Sequence, residues 1–390
     1  MIYRATISDE DREVVALIDE LRQSLRWRVT EPRRWYGSLR RLTIARAVQG
    51  SNSIEGYEAS LDDVVAAIEG EEPLDASEET RMALEGYRDA MTYVLQLGNE
   101  PVVRVDESLV KSLHFMMLKY DLSKNPGRWR RGAIFVRRDP EGEVVYEGPD
   151  VEQVPALVQE LLDELSQDDG PVLVRAAMAH LNLVMIHPFR DGNGRMARCL
   201  QTLVLAREKI LSPELNSIEE YLGRNTQSYY DVLAEVGQGS WQPQNDAHPW
   251  AKYCLTAHFR QARTLLRRFQ ESEELWDRLT ELARRGGAPD RSVGALFDAA
   301  MGFRLRNATY RAVIEASEGE NISEQTASRD LKTLVNAGLL VAVGEKRGRF
   351  YIATGNVVAQ QAAIKTRRPP READDPYLIA VGRHQQRFAI

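Results

Sequence analysis

Between residues 187 and 198 lie a histidine, a carboxylate, two glycines and a pair of arginines three residues apart: His187-Pro188-Phe189-Arg190-Asp191-Gly192-Asn193-Gly194-Arg195-Met196-Ala197-Arg198. An apolar stretch from Val172 ends near Ile186, and Pro188 stops it, because the residue before a proline avoids the helical region. Met196, Ala197, Cys199, Leu200, Leu203 and Val204 then recur at helix-like spacing. The small residues therefore sit in the turn that opens a buried helix. Free N–H groups and the positive end of a helix dipole make such a turn an anion site. Gly192 and Gly194 allow a diphosphate to approach closely, and Asn193 tolerates the left-handed conformation. Asp191 offers a hard oxygen ligand for a Mg²⁺ that bridges phosphates. Arg195 and Arg198 share a helix face and can clamp charged oxygens. His187, just before the anion site, is placed to take a proton from an incoming hydroxyl at neutral pH.

Most of the elements that must position these residues read as helices. Val14, Leu17, Ile18, Leu21 and Leu25 form one apolar stripe, and a second helix runs roughly from Trp35 to Glu55. Ser77 and Asp106 are good N-cap types before helices ending at Leu97 and Leu118. The pattern breaks between Asn125 and Pro149. Ala133-Ile134-Phe135-Val136 and Glu143-Val144-Val145-Tyr146 flank Asp139-Pro140-Glu141-Gly142, a hairpin with turn chemistry at its tip. Helical periodicity resumes at Val154, again from Val172 to Ile186, and in a charged helix from Thr264 to Arg285 ended by Gly286-Gly287-Ala288-Pro289. His180 reads as a core histidine, and His114, His248, His258 and His384 lack motif context.

The run from His187 to Arg198 resembles the Fic family signature, His-Pro-Phe-x-(Asp/Glu)-Gly-Asn-Gly-Arg-x-x-Arg, and every specified position matches. The resemblance implies a helical core and transfer of AMP from ATP, with Mg²⁺, to a Ser, Thr or Tyr hydroxyl of a target protein, the chain itself included. It implies His187 as the base, Asp191 as the metal ligand, Gly192, Asn193 and Gly194 lining an anion hole, and Arg195 and Arg198 on the β- and γ-phosphates. Related Doc kinases carry Lys where this chain has Gly194, which favours nucleotidyl transfer here. Ser51-Asn52-Ser53-Ile54-Glu55-Gly56 matches a second family pattern, (Ser/Thr)-x-x-x-Glu-(Gly/Asn), implying an inhibitory helix near residues 40–56 whose Glu55 pairs with Arg198. The run from Gly127 to Val136 resembles the family's flap, which docks a target segment by strand addition. Val136 and the pair Tyr229-Tyr230 stand at nucleotide-side positions, the tyrosines near the adenine. Some relatives place an asparagine where this chain has Gly237, so phosphate binding is better supported than adenine recognition.

After about Arg291, short helices at Ser292–Ala300 and Asn307–Ser317 precede a third from Ser323 and two β-prone runs, Leu340–Val343 and Arg349–Ile352. This looks like a winged helix-turn-helix, with Gln325, Thr326, Ser328, Arg329 and Lys332 on the recognition face and Lys346, Arg347 and Arg349 on the wing. DNA and protein both stay open as its partner, and a homodimer is one assembly such a module serves. The expected fold is mainly α: a Fic helical core with a β-hairpin flap, plus that C-terminal domain. The expected divisions are an N-terminal helical region (1–104), the core (105–265, flap 127–148), a helical linker (266–290), the winged domain (291–357) and a tail (358–390) that is a flexible extension from Lys365 onward. The formal charge of −7 argues against a wholesale polyanion binder, and two cysteines, Cys199 and Cys254, cannot build a disulfide framework or a four-cysteine zinc site. Acidic residues near the N-terminus and the lack of a long apolar run point to a cytoplasmic protein with no membrane span. The rival functions are a DNA-binding regulator whose core is a nucleotide-responsive switch, and a Fic enzyme that uses another nucleotide or removes AMP.

Overall fold

The computed structural model describes residues 1–71, 75–100, 103–138, 142–167, 170–207, 209, 212–345, 349–368 and 375–387. The chain divides into two compact units: Met1–Ser24 with Ala45–Arg263 and Asp374–Ile390, and Leu25–Ile44 with Thr264–Ala373.

The first helices in chain order are α1 (Asp9–Thr30), α2 (Tyr36–Ser53), α3 (Leu61–Glu69), α4 (Glu78–Leu97) and α5 (Glu107–Leu118). The capping expectations hold. Ser77 accepts from the Thr80 N–H and Asp106 from the Leu109 N–H, each satisfying one of the free donors of a first turn. Helix α3 has no counterpart in the periodicity reading, although Ser60 caps it in the same way by accepting from the Asp63 N–H. Next come β1 (Phe135–Arg138) and β2 (Glu143–Glu147), an antiparallel pair. The first strand thus starts two residues later than its β-prone run, and Val136 faces Tyr146 across a register shift that precedes Arg137. Of the expected turn tip, Asp139 to Glu141 lie outside the described residues.

Helices α6 (Val154–Ser166), α7 (Val172–Ile186), α8 (Asn193–Ala206), α9 (Pro213–Asn216), α10 (Glu219–Arg224) and α11 (Thr226–Gly237) complete the site's surroundings. Helices α7 and α8 pack on each other more extensively than any other pair of elements. Both are buried almost all round, α7 chiefly through apolar side chains and α8 with Asn193, Arg195, Arg198, Gln201 and Thr202 buried as well. Trp250, Tyr229 and Leu181 belong to the cluster beside them. His180 is buried there as the sequence reading has it, bonded through Nδ1 to Gln201 Oε1 (2.6 Å) and through Nε2 to the Tyr229 hydroxyl (3.1 Å). Burial holds it neutral by pushing its pKa down to about 3.

Helix α12 spans His248–Arg285, far longer than the expected Thr264–Arg285, because the buried faces of Trp250, Leu255 and Phe259 extend the apolar stripe backwards. Three helices follow in the second unit, α13 (Val293–Ala300), α14 (Asn307–Glu318) and α15 (Glu324–Asn336). An antiparallel hairpin of β3 (Leu340–Val343) and β4 (Phe350–Ala353) comes next. This is the expected order of elements. The Gly286–Pro289 turn lies within the second unit, not at its edge as a linker boundary would. Gln325, Ser328, Arg329 and Lys332 are exposed on α15, whereas Lys346 and Arg347 of the expected wing lie outside the described residues. After α16 (Gly355–Lys365), the extension expected to be flexible needs correction, because it forms α17 (Pro376–Arg387). Its composition is charged, but Tyr377 is buried and its hydroxyl donates to Asp11 Oδ1 at 2.7 Å, which anchors α17. Among the described residues, no helix is long and apolar enough to cross a membrane.

Candidate active site

His187 ends α7 in the left-handed conformation (φ 50°), its N–H donating to Leu183 O at 3.0 Å. A non-glycine residue held there is conformationally costly and marks a constrained turn. Its Nδ1 lies 2.9 Å from Val184 O. A carbonyl can only accept, so the neutral ring carries its proton on Nδ1 and keeps the lone pair on Nε2. Burial lowers the imidazole pKa below its ordinary 6.5, with Arg130 adding to the effect and the Val184 bond and Glu55 opposing it. At neutral pH the ring is a free base.

The turn behind it is stitched on every side. Phe189 N–H donates to Asn193 Oδ1 (2.9 Å), and Asn193 Nδ2 donates back to Phe189 O (3.0 Å). Asn193 is therefore the first helical residue of α8 and a clasp for the turn, not its left-handed residue. That conformation belongs to Gly192, at φ 73°. A Cβ at Gly192 would also sit 2.9 Å from Leu118 Cδ1. Gly192→Ala should lower stability by about 2 kcal/mol, the usual toll of a strained left-handed residue. An earlier urea midpoint with unchanged slope would register it, and an unchanged midpoint would refute it.

Two residues outside the signature run, His114 and Arg130, brace the same turn. The His114 ring stacks on Phe189 with centroids 3.6 Å apart. Its Nδ1 accepts from Gly127 N–H and its Nε2 donates to Asp191 O, both at 2.9 Å. Burial drives His114 down to about 4, so it stays neutral and that proton stays on Nε2. Arg130 ties the approach to the flap onto the histidine: its N–H donates to Pro188 O (2.8 Å) and its Nε to His187 O (3.0 Å). No periodicity or motif reveals either role, since both depend on where distant segments meet.

Asp191 accepts from Gly192 N–H at 2.6 Å and pairs with Lys124 Nζ at 2.9 Å. Burial pushes its carboxyl up, but Lys124 and Arg195 outweigh that and hold it below the usual range. Arg195 and Arg198 are both buried in the first turns of α8. Arg198 donates from Nε to Ser51 Oγ (2.8 Å) and from Nη2 to Ser51 O (2.9 Å). The same Nη2 makes the ion pair with Glu55 Oε1 at 2.7 Å that the resemblance implies. Burial works against the Arg198 charge and Glu55 more than restores it. Glu55 stands just past α2, where Gly56 turns left-handed at φ 84°. A Cβ on Gly194 would lie 2.4 Å from Glu55 Oε1, so the carboxylate rests directly over the opening turn of α8.

Among the described residues, Arg195 has no carboxylate partner. Its guanidinium lies 5.0 Å from the Tyr57 ring, and its Nε and Nη1 are buried without an acceptor, as is Nη1 of Arg198. Buried unpaired donors are costly. The opening turn of α8 thus carries two buried guanidinium groups, one of them paired with the chain's own carboxylate.

The remaining expected positions divide. Tyr229 is buried in the core, whereas Tyr230 is exposed and its hydroxyl donates to Ile54 O at 3.1 Å, one residue before Glu55. Val136 is half-buried against the core cluster that contains Tyr146. Gly237 closes α11, where a Cβ would press on Met185 and Tyr146.

The Fic/DOC family model matches residues 104–205. Protein adenylyltransferase Fic of Nematostella vectensis is 27% identical over 206 residues, 50% of this chain and 43% of that protein. Protein adenylyltransferase fic-1 of Caenorhabditis elegans is 41% identical over 81 residues, 21% of this chain and 15% of that protein. The chain thus spans less than half the length of these two curated relatives. A Fic family protein from Desulfovibrio desulfuricans G20, solved by crystallography, superposes with a TM-score of 0.59 at 23% identity. That match covers 90% of this chain and 99% of the other, and it speaks for the fold. The signature run at the mouth of α8 thus lies inside the stretch, residues 104–205, that matches the Fic/DOC family model, within a fold similar to that of a solved Fic family protein.

Proposed function

We propose that this chain transfers AMP from ATP to a Ser, Thr or Tyr hydroxyl of a target protein, and that Glu55 restrains the reaction. The observation that carries this reading is the Glu55 carboxylate lying over the first turn of α8, on an arginine that would otherwise face an anion. A helix N-terminus that draws in the chain's own carboxylate is suited to phosphate oxygens.

In the reaction, the target hydroxyl attacks the α-phosphorus of ATP as His187 Nε2 takes its proton. The bond from the α-phosphorus to the bridging oxygen breaks, and pyrophosphate leaves. Arg195 and Arg198 hold the β- and γ-phosphates, fixing the leaving group in line with the attacking oxygen. N–H groups of the α8 turn face the charge that develops on the phosphoryl oxygens.

The donor set also suits Mg²⁺. Asp191 is a lone, ionised, part-exposed carboxylate, and no cluster of three or more His, Cys, Asp or Glu residues occurs among the described residues. Mg²⁺ characteristically takes one or two carboxylates and completes its shell with water and substrate phosphates. Bound by Asp191, it would neutralise charge on the pyrophosphate. Lys124 pairs with that carboxylate. Lys124→Met should therefore raise affinity for Mn²⁺ without nucleotide by about twofold to fivefold, the worth of a part-exposed ion pair. Paramagnetic resonance titration reads this directly, and equal affinity would separate Lys124 from the metal position.

The test of function is incubation of the purified chain with a lysate, Mg²⁺ and ATP labelled either at the α- or at the γ-phosphate, with modified residues identified by mass spectrometry. Label transferred only from the α-position, on hydroxyl side chains, is the expected result. Transfer from the γ-position would make the chain a kinase, and no transfer by wild type or Glu55→Gly would overturn the reading.

A further inference from the structure

Beside the histidine lies a cavity of about 270 Å³ whose lining includes Arg128, Trp129, Arg130, Arg131, Ile134 and Arg190. Four guanidinium-bearing residues line it and no carboxylate does. In a chain of net charge −7, arginines elsewhere are commonly matched by acids, as in Arg34 with Asp290, Arg291 with Asp330 and Arg368 with Glu271. Here, among the described residues, none of the four forms a direct ion pair, although Asp150 and Glu152 act on Arg130 from farther off. Arg190 donates only to a backbone carbonyl, Ser123 O, at 3.0 Å. Arg130 gives its donors to the carbonyls of His187, Gly132 and Pro149. Arg128 and Arg131 are exposed, and their side chains have no acidic partner among the described residues. Like charges gathered around a concavity repel until an anion enters. Trp129 adds an indole N–H buried without an acceptor.

The cavity's position gives the anion its identity. Arg130 touches the His187 carbonyl, Arg190 is next to Asp191, and Ile134 immediately precedes flap strand β1. A segment lying along the flap with its hydroxyl at His187 must carry its neighbouring side chains past this cavity. A strand advances about 3.3 Å per residue, so the side chain that reaches it lies within about four positions of the hydroxyl.

We infer that this cavity receives an Asp or Glu side chain of the target, and so selects acceptor hydroxyls with an acidic residue close by in sequence. The inference rests on the target-protein reading of the site. Arginine matches a carboxylate with two parallel donors, which makes the contact selective as well as attractive.

The test uses the full chain carrying Glu55→Gly. Its substrates are peptides with one Ser, Thr or Tyr and with Asp, Asn, Ala or Lys at each flanking position. Peptides bearing Asp within about four residues should react with a kcat/KM about tenfold or more above their Asn counterparts, chiefly through KM. Arg131→Glu and Arg128→Glu change exposed side chains without internal partners, so the fold is not at stake. Each should erase the preference for Asp, and the double change should favour Lys. Fluorescence anisotropy of a labelled Asp peptide, without ATP, should lose binding in the same variants. If α-label reaches peptides or lysate proteins with no preference for acid, or if the Arg→Glu changes leave a preference intact, the cavity inference is wrong while adenylyl transfer stands. If labelled single-stranded DNA binds and is lost with these arginines while Asp peptides show no advantage, the cavity is a nucleic-acid contact and the inference is again wrong. Absence of α-label on any protein or peptide would instead overturn the parent reading.

Discussion

Glu55→Gly should raise incorporation of α-labelled AMP on the order of tenfold to a hundredfold over wild type at equal Mg²⁺ and ATP, and should expose labelling of the chain itself. The magnitude follows from what productive ATP has to displace. Arg198 is buried, its Nη2 lies 2.7 Å from Glu55, and breaking a well-buried pair costs a few kcal/mol, less here because Glu55 is part-exposed. The gain depends on the arginine staying in place once the carboxylate is gone. Ser51 provides for that, since its hydroxyl and carbonyl accept from Arg198 Nε and Nη2 independently of Glu55. Glu55→Gln should fall between the two, because the amide still fills the space over Gly194 but repels no phosphate. Adding Arg198→Ala to Glu55→Gly should cancel the gain, as the freed arginine is the group proposed to bind the triphosphate. Equal incorporation by wild type and Glu55→Gly would reduce the pair to a structural ion pair.

The readable part of this site was the part encoded locally. The turn from His187 to Arg198 announces itself because a proline stop, two glycines and the opening of an apolar helix occur in consecutive residues. Caps at Ser77 and Asp106 were legible for the same reason, a short-range bond to the third residue on. Periodicity located α7 well, yet it placed the start of α12 at Thr264, because aromatic residues near Trp250 blur the stripe that continues to His248. The braces were not legible at all. His114, Arg130 and Lys124 reach the turn from outside it, and although Arg130 lies in the flap-like run, nothing there foretells its bonds to Pro188 and His187. The charged tail misled for the opposite reason: its composition reads as solvated, but Tyr377 and Ala380 are buried, which suffices to dock α17. Tyr230 shows a subtler limit. A motif places it near the site, and only the fold reveals that its hydroxyl holds the carbonyl before Glu55.

His187→Ala, made in the Glu55→Gly background, should cut AMP transfer on the order of a thousandfold while leaving ATP affinity within a few-fold. The two effects separate because different atoms serve them. In the proposed reaction, phosphate binding relies on the α8 turn, Arg195 and Arg198, and that turn is held by the Phe189–Asn193 clasp and by His114, none of which uses the His187 imidazole. The Nε2 lone pair, by contrast, exists only because Val184 O fixes the proton on Nδ1. The same geometry sets the pH dependence. Burial holds the folded pKa below 6.5, so the base form persists as pH falls through 6.5 and is lost only below the lowered value. Rate should therefore stay flat from pH 8 through 6.5 and decline on the acid side. Glu55 raises the imidazole pKa, so its removal moves that decline to still lower pH. Transfer rates and equilibrium ATP binding, measured side by side from pH 5 to 8, check all three statements. Undiminished transfer by His187→Ala would show that some other group takes the proton. A rate that already halves near pH 7 would mean that the imidazole is not shielded as its burial implies.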